Sequence, residues 1–452
     1  MTIETNRKII INENFEKHVN DIRVDTKETA LIPFKLWIDE KKYQKVYKVP
    51  IEYCRYRVEN GRIRTETLSY ETTKKSLNQD LPEDQKIIGD FLSKSDPARN
   101  EELMNSLKRD GQNEPAVITA DGFLINGNRR KWALGKLNEK FPGEKFQQMK
   151  VVILPGSDNP EAPTIQDIAL LENRYQVNIT GKSEYTIMNK ALTFRFNVNN
   201  GIPLKQLLRD DANYSDLSEK DFNREAKKFE KDHFEPLNLI DEYLALNKMK
   251  GDYEKIAHRW ESFKELNQKV ITNLNNDKYL TKYKLEPEDV GNLRSACYNI
   301  IKLKDPKELG KNRHTDLIRE INTWVDVSKK DFLKLGEIED ISINIKDPDE
   351  RDREWQHTRG DEIINGIKKL QALANKKEMQ EGPIDRLEEV LRKLDHKHLD
   401  EEQIKRMPID EIETAIKLTN DIQTANKGLQ KTFYDLKKNR SPKALKKHFE
   451  NR

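Results

Sequence analysis

Cysteine and histidine are scarce in this chain of 452 residues, which contains two and eight of them. Cys54 and Cys297 lie far apart in the sequence, so they form no metal-ligand pair, and a reducing interior is expected. His396 and His398 have no third ligand at suitable spacing, so we predict no metal site there.

Long apolar runs are missing as well. No run approaches the length that a membrane-spanning helix needs, and the polar start of the chain (MTIETNRKII) has no apolar core of a signal peptide. We therefore expect a soluble cytoplasmic protein without a membrane partner.

A net charge is nearly absent although charged residues are abundant. They make up 36% of the chain against 35% apolar residues, but 82 Lys and Arg almost cancel 79 Asp and Glu, leaving +3. Binding to nucleic acid therefore needs a local basic patch and cannot be argued from bulk charge.

The clearest local pattern runs from residue 110 to residue 136. Residues 115–119 (PAVIT) and 123–125 (FLI) predict two short strands around an Asp-Gly turn, and residues 130–134 (RKWAL) continue as a helix after Gly127. The unit is strand, turn, strand, glycine, helix.

Such a joint suits an anion. A glycine permits close approach of a ligand, and the first amides of the following helix are unpaired donors at the positive end of its dipole. Arg129 and Arg130 add guanidinium groups that bind phosphate oxygens. The sequence thus indicates a phosphate cradle, and an ordinary strand-to-helix joint with solvated arginines stays open as the alternative.

The predicted fold class is α+β, with a small α/β N-terminal domain followed by a mostly α-helical half. Strands and short helices alternate up to about residue 180, and helical patterns follow. The predicted segments are a polar N-terminal arm (1–34), the α/β domain (35–180), two helical domains (181–275 and 276–337), an acidic linker or exposed loop (338–360) and a C-terminal helical hairpin or coil with a basic tail (361–452).

Two short helices after residue 203 are compatible with a helix-turn-helix. The second one would offer four basic residues to DNA: Lys220, Arg224, Lys227 and Lys228. A plain helical bundle with solvated lysines stays open, because the intervening DDANYSD is acidic and long for a tight turn.

The last hundred residues show one long amphipathic pattern. It predicts either a hairpin with the preceding helix, which is the simpler option, or a coil that forms a homodimer or binds a protein partner. The basic tail, with Lys437, Lys438 and Arg440, can neutralise nucleic-acid phosphates, although solvated tails are common.

The order of these motifs resembles the N-terminal domain of the ParB/sulfiredoxin superfamily. That family has a G-x-x-x-P-I-x-V strand, a G-E-R-R box and an E-N-x-x-R box. Here Gly111 with PAVI, the GNRR box at 127–130 and ENR at 172–174 stand in the same order, over about residues 45–180. Asn60-Gly61-Arg62 stands where the family has an earlier box.

The resemblance implies a nucleoside triphosphate, CTP or ATP with Mg²⁺, that regulates binding to DNA or to a partner. If the resemblance holds, Gly127, Arg129 and Arg130 bind the phosphates, while Glu172 and Asn173 face the metal ion. Further nucleotide-binding candidates are Arg62, Gln112, Asn128 and Arg174. Oxygen ligands suit this hard cation. A member so divergent in its helical half is expected from a plasmid, phage or defence system.

At several positions this sequence departs from the family's motifs, and each departure changes which family property we expect here. Position 128 is Asn where many hydrolysing members have Glu, which argues against fast turnover but not against phosphate binding. The arginine of ENRYQ stands at the third position of the motif, two positions earlier than in the family's E-N-x-x-R box. The joint contains no cysteine nucleophile, which excludes sulfiredoxin activity.

Two alternatives remain beside a slow CTPase or ATPase. One is a nuclease or phosphotransferase of the same fold with Glu172 as catalytic general base. The other is a helical adaptor with a vestigial pocket.

Overall fold

The computed structural model describes residues 11–34, 42–143, 145–156, 158–177, 185–209, 214, 216–338, 345, 348–393 and 404–439. The chain divides into two compact units, residues 1–373 and residues 374–452. Each unit is described by itself below.

A mixed five-stranded sheet organises the first part of the chain. Its strands, in the order β1-β2-β5-β3-β4, are β1 (Val24–Ala30), β2 (Gln44–Pro50), β3 (Ala116–Ile118), β4 (Leu124–Asn126) and β5 (Gln148–Ile153). The β3–β5 pair is parallel and the other three pairs are antiparallel. The α+β class is therefore confirmed, and so is the predicted hairpin.

Among the described residues, six helices accompany the sheet. They are α1 (Glu13–Ile22), α2 (Arg64–Thr73), α3 (Pro82–Ser95), α4 (Pro97–Asp110), α5 (Asn128–Lys140) and α6 (Ile165–Val177). Thr164 and Asp167 start α6 as a reciprocal cap, in which each backbone N–H donates to the other's side chain, at 2.9 and 3.1 Å.

Both faces of the sheet are buried. Ile118 and Val151 point to one core, while Val117 and Val152 point to the other, as the two-residue period of a strand requires. This double burial explains why β3 is apolar throughout and not alternating.

The predicted N-terminal arm needs a correction. Of the 34 residues assigned to it, 11–34 are described, and they contain α1 and the edge strand β1, which pairs with β2. Ile32 and Phe34 are buried in the core of one sheet face. These residues thus belong to the sheet domain.

Helices fill the rest of the first unit. They are α7 (Ile187–Asn199), α8 (Leu204–Arg209), α9 (Glu219–Phe229), α10 (Glu235–Leu246), α11 (Trp260–Lys269), α12 (Asp277–Tyr283), α13 (Asp289–Lys302), α14 (His314–Lys334), α15 (Pro348–Trp355) and the start of α16 (Asp361–Lys393). One apolar core extends from Met188 to Leu370.

This shared core joins segments that the sequence analysis separated. It takes residues from both predicted helical domains, and it includes Trp355 from the segment predicted as an acidic linker. Residues 348–360 are helical and not an exposed loop, because Trp355 anchors α15 in the core and is only 1% exposed.

The second unit contains the rest of α16 and the helix α17 (Ile409–Asn439). Its large apolar side chains are exposed, so the described residues do not show the hairpin packing that was the simpler prediction. No helix among the described residues is long and apolar enough to cross a bilayer.

Candidate functional site

Gly127 forms the joint between β4 and α5, and its geometry admits no side chain. Its φ of +96° lies in the left-handed region, and an added Cβ would stand 2.6 Å from the Ala116 Cβ and 2.9 Å from the Met149 Cε. Among the described residues, no side chain caps the first turn of α5. The first amides of this helix therefore remain available at the positive end of its dipole.

A cavity of about 310 Å³ opens beside this joint. Four arginines contribute to its wall, against a single carboxylate among the described residues. The wall consists of Asn60, Arg62, Arg99, Glu102, Leu103, Ile125, Asn126, Gly127, Asn128, Arg129, Arg130 and Tyr175. The cavity is therefore strongly cationic.

The arginines of this wall repel one another. Burial lowers the pKa of Arg129, and the nearby charges of Arg62 and Arg99 lower it further. Burial also lowers the pKa of Arg62. Because a guanidinium stays protonated despite such shifts, the wall keeps its positive charge, and an anion between these groups would relieve the repulsion.

Three polar atoms of the wall residues are buried and unpaired. They are Arg129 Nη2, Asn128 Oδ1 and Asn60 Nδ2, which have no hydrogen-bond partner among the described residues. Arg129 is nevertheless held in place, because its Nε donates to Asn100 Oδ1 at 2.7 Å. A buried unpaired polar atom costs free energy, so these three atoms are candidates for hydrogen bonds to a bound ligand.

Arg130 is oriented differently from Arg129. Its Nη1 donates to the Glu114 carbonyl, and its Nη2 donates to Asn126 Oδ1 at 3.4 Å. Burial lowers the pKa of this arginine too. Arg130 thus braces the loop before β3 against the end of β4, while Arg129 keeps an unpaired edge.

Arg62 reaches the cavity from a different segment. The side chain of Asn60 accepts a hydrogen bond from the Arg62 N–H at 3.0 Å, which shapes a tight turn. The guanidinium lies 5.4 Å from the ring centroid of Tyr185. The structure therefore brings together Arg62, Gly127, Asn128, Arg129 and Arg130 as the sequence predicts.

Glu172 and Asn173 do not belong to this wall. The Glu172 carboxylate accepts hydrogen bonds from Arg57 Nη1 at 3.2 Å, the Gly61 N–H at 3.2 Å and the Tyr185 hydroxyl at 3.4 Å. Burial raises the pKa of Glu172. Asn173 Nδ2 donates to the Leu207 carbonyl at 2.9 Å. Both side chains serve the packing of α6.

Arg174 and Gln112 also lie outside the wall. Arg174 Nη1 donates to the Pro33 carbonyl at 2.8 Å, which ties α6 to the chain after β1. Gln112 pairs with the backbone of Lys150 in both directions, at 2.7 and 2.8 Å. Its side chain therefore extends the hydrogen bonding of β5.

A protein-built metal centre is not seen in the described part of the chain. It contains no group of three or more His, Cys, Asp and Glu residues that could hold a metal ion. Glu172 and Asn173, the predicted metal ligands, are neighbours in sequence but are paired with separate partners. The described donors therefore do not fit a Mg²⁺ ion held by protein ligands alone.

Several residues of the wall were missed from the sequence. Arg99, Glu102 and Leu103 come from one face of α4, three and four residues apart, and Tyr175 follows directly after the ENR motif. The spacing on α4 marks a common face, but only the packing of α4 against α5 shows what it faces.

The candidate DNA-binding residues lie on the exposed face of α9. Its apolar face packs with α7 and α8 through Phe222, Ala226 and Phe229, which leaves Lys220, Arg224, Lys227 and Lys228 exposed. Arg224 pairs with Asp221 at 3.0 Å, and Lys228 pairs with Glu225 at 3.7 Å. The structure thus supplies a helix pair with a basic outer face, partly neutralised by carboxylates on the same helix.

The basic tail is described only in part. Lys437 and Lys438 are exposed in the last turn of α17, whereas Arg440 lies outside the described residues.

A larger cavity of about 820 Å³ lies among α10, α13 and α15. Its wall mixes acidic and basic side chains that pair with each other, for example Lys255 with Asp349. None of the buried unpaired side-chain atoms of the described residues belongs to it. The smaller cavity is the better candidate site because three buried polar atoms of its wall residues have no partner among the described residues.

A scan against protein-family models gives no match, and searches of curated proteins and of solved structures find no significant relative. The chemistry of the site therefore carries the functional argument.

Proposed function

We propose that the cavity beside Gly127 binds the phosphates of a nucleoside triphosphate, CTP or ATP, and that the chain is a ParB-like, DNA-associated protein. The observation that carries this proposal is the pair of buried, unpaired donors Arg129 Nη2 and Asn60 Nδ2 in a wall with four arginines. Phosphate oxygens are strong acceptors for such a guanidinium. The resemblance of the motifs to ParB proteins favours a nucleotide over other phosphate ligands.

In this proposal, Mg²⁺ arrives bound to the phosphates. The ion commonly keeps several waters and uses substrate phosphates as ligands, so it does not need a cage of protein carboxylates. Asn128 provides an amide where a carboxylate would favour hydrolysis, so we propose a binding switch with slow turnover at most.

Ligand binding would be transmitted through the segment that carries Arg62. The Arg62 carbonyl accepts a hydrogen bond from Asn189 Nδ2 of α7 at 2.6 Å, and Asn189 Oδ1 accepts one from the Thr65 N–H at 2.7 Å. Because α7 shares a core with α8 and α9, a shift of this segment would bias the helix pair that we propose to contact DNA.

Isothermal titration of the purified chain with CTP, ATP and inorganic tripolyphosphate, each with Mg²⁺, tests the binding. We expect Arg129→Met to weaken nucleotide binding about 10- to 100-fold, since it removes charge-assisted hydrogen bonds. Lys136→Met removes a basic side chain on the same helix outside the wall and should leave the affinity within about twofold.

Each outcome of the titration has a consequence. Binding of tripolyphosphate as tight as that of CTP and ATP would restrict the site to phosphate recognition. Unaltered binding by Arg129→Met would place the nucleotide elsewhere. If no ligand binds, with or without DNA, the phosphate cradle is refuted and a helical adaptor becomes the working hypothesis.

A further inference from the structure

The helix α17 carries a stripe of exposed apolar side chains along most of its length. Each of them is 38 to 79% exposed, and they are Ile409, Ile412, Ile416, Ile422, Leu429, Phe433 and Leu436. The part of α16 that belongs to the same unit leaves Ile384, Leu387 and Leu391 at least 40% exposed as well. Within the described residues of this unit, nothing covers the stripe. Helices with such a face are stable in water when another surface covers it.

The stripe has the spacing of a coiled-coil seam. Its members follow one another three or four residues apart once Thr419 and Asn426 are included as polar positions of the same face. Two spacings of three residues follow each other between Ile416, Thr419 and Ile422, and they rotate the seam around the helix axis at this point. This spacing predicts a helix as the covering partner.

The stripe is also nearly symmetric about the bond between residues 422 and 423. Apart from Ile422 and Gln423 at the centre itself, seam positions equally distant from this centre carry matching residue types. The pairs are Ile409 with Leu436, Ile412 with Phe433, Ile416 with Leu429, and Thr419 with Asn426. A second copy of α17 that runs antiparallel would therefore place large apolar side chains opposite large apolar side chains, and the polar pair opposite each other.

The charges on α17 favour the same direction. Residues 409–423 carry four carboxylates and one lysine, whereas residues 424–439 carry four lysines and one aspartate. An antiparallel copy brings the acidic half of one helix to the basic half of the other, whereas a parallel copy places like charges side by side. The two helix dipoles also oppose each other in this arrangement.

We propose that a second copy of this chain covers the stripe, so that two α17 helices form an antiparallel, two-fold symmetric pair centred between residues 422 and 423. Such an interface is self-complementary, because each residue and its symmetric counterpart contact each other twice. The proposal rests on α17 alone and does not depend on the nucleotide site.

The first experiment measures the mass of the full chain in solution by light scattering coupled to size exclusion. We expect a dimer for the wild type and a monomer for the double variant Ile416→Glu with Leu429→Glu, which places carboxylates opposite each other in the seam. The matched control, Thr414→Glu with Thr424→Glu, adds the same charge on the outer face and should stay dimeric. Circular dichroism checks that all variants keep their helix content.

The second experiment determines the direction of the helices by cysteine cross-linking. Cys54 and Cys297 are buried, so new cysteines dominate the reaction. Thr419→Cys and Asn426→Cys replace polar positions of the seam without removing apolar area. In the antiparallel pair, each of these cysteines lies about 10 Å along the axis from its own copy, too far for a disulfide.

We therefore expect little cross-linking of either single variant alone and efficient cross-linking when the two are co-expressed with different tags. Efficient self-cross-linking of Thr419→Cys would indicate parallel helices and overturn the proposal. A monomeric wild type, or a dimer that persists in the Ile416→Glu/Leu429→Glu variant, would overturn it as well.

Discussion

The Glu172 carboxylate accepts a hydrogen bond from the Arg57 guanidinium at 3.2 Å, and both side chains are largely buried. The same carboxylate holds the Gly61 N–H, between the two cavity residues Asn60 and Arg62. Glu172 thus supports the cavity wall from behind and does not line the cavity.

Replacing Glu172 with Gln should therefore lower stability and leave nucleotide binding largely intact. We expect a loss of about 1–3 kcal/mol in the free energy of unfolding, because the buried Arg57 charge loses its counterion. Urea denaturation measures this loss, and Glu139→Gln, in an exposed pair with Lys136, is the control. Unchanged stability together with loss of magnesium-dependent binding would return Glu172 to the metal role.

The sequence predicted the local geometry of the site but not the pairing of its side chains. The β3–β4 hairpin, the glycine joint at residue 127 and the helix that follows it were predicted from neighbouring residues, and all are confirmed. The partners of Glu172, Asn173 and Arg174 lie 115, 34 and 141 residues away along the chain. No local pattern contains that information, so three adjacent residues that look like one motif serve three different contacts.

In the helical half, too, the local sequence pattern did not predict which side chains are buried in the core. The sequence patterns predicted a mostly helical half, but the acidic stretch after residue 338 predicted a linker although the segment contains Trp355. One buried aromatic side chain is enough to fix α15 in the core, and its contribution outweighs the polarity of the flanking residues.

Gly127→Ala should destabilise the sheet domain. The substitution forces a Cβ into contact with Ala116 and Met149 at a φ of +96°, which we expect to cost about 2–4 kcal/mol. Gly135 lies inside the same helix with nothing within 4 Å of an added Cβ, so Gly135→Ala should gain about 0.5–1 kcal/mol. Chemical denaturation of both variants provides the measurement. If both substitutions changed the free energy of unfolding equally, the close packing around Gly127 would not be important for stability.

Removing Lys220 and Lys227 together should reduce the salt dependence of DNA binding. Both are exposed on α9, and neither forms an ion pair within the described residues, whereas Arg224 and Lys228 already contact carboxylates. If both lysines contact phosphates, the slope of log K against log salt should fall by about two in the Lys220→Ala/Lys227→Ala variant. Fluorescence anisotropy with a labelled duplex measures it. Arg224→Ala/Lys228→Ala should change the slope less, and a wild-type slope in the first variant would exclude this face as the DNA contact.

The buried His314 should make the protein less stable in mild acid. Its Nδ1 accepts from the Arg259 guanidinium, and its Nε2 donates to the Leu303 carbonyl at 2.6 Å. Burial, and then the charge of Arg259, lowers the pKa of His314 from 6.5 to about 4. Between pH 6.5 and pH 4 the unfolded chain therefore binds a proton that the native chain does not.

Stability is thus fully present above pH 6.5 and is lost as the pH falls towards 4, by up to about 3 kcal/mol for this histidine. Burial lowers the pKa of His233 to about 4 as well, which adds a loss in the same direction. His314→Gln preserves one donor and one acceptor but cannot titrate, so its urea midpoint should decline less steeply between pH 7 and pH 4.5 than that of the wild type. Parallel pH profiles for the two proteins would show that His314 takes up its proton equally in the native and unfolded states, which its buried contact with Arg259 should prevent.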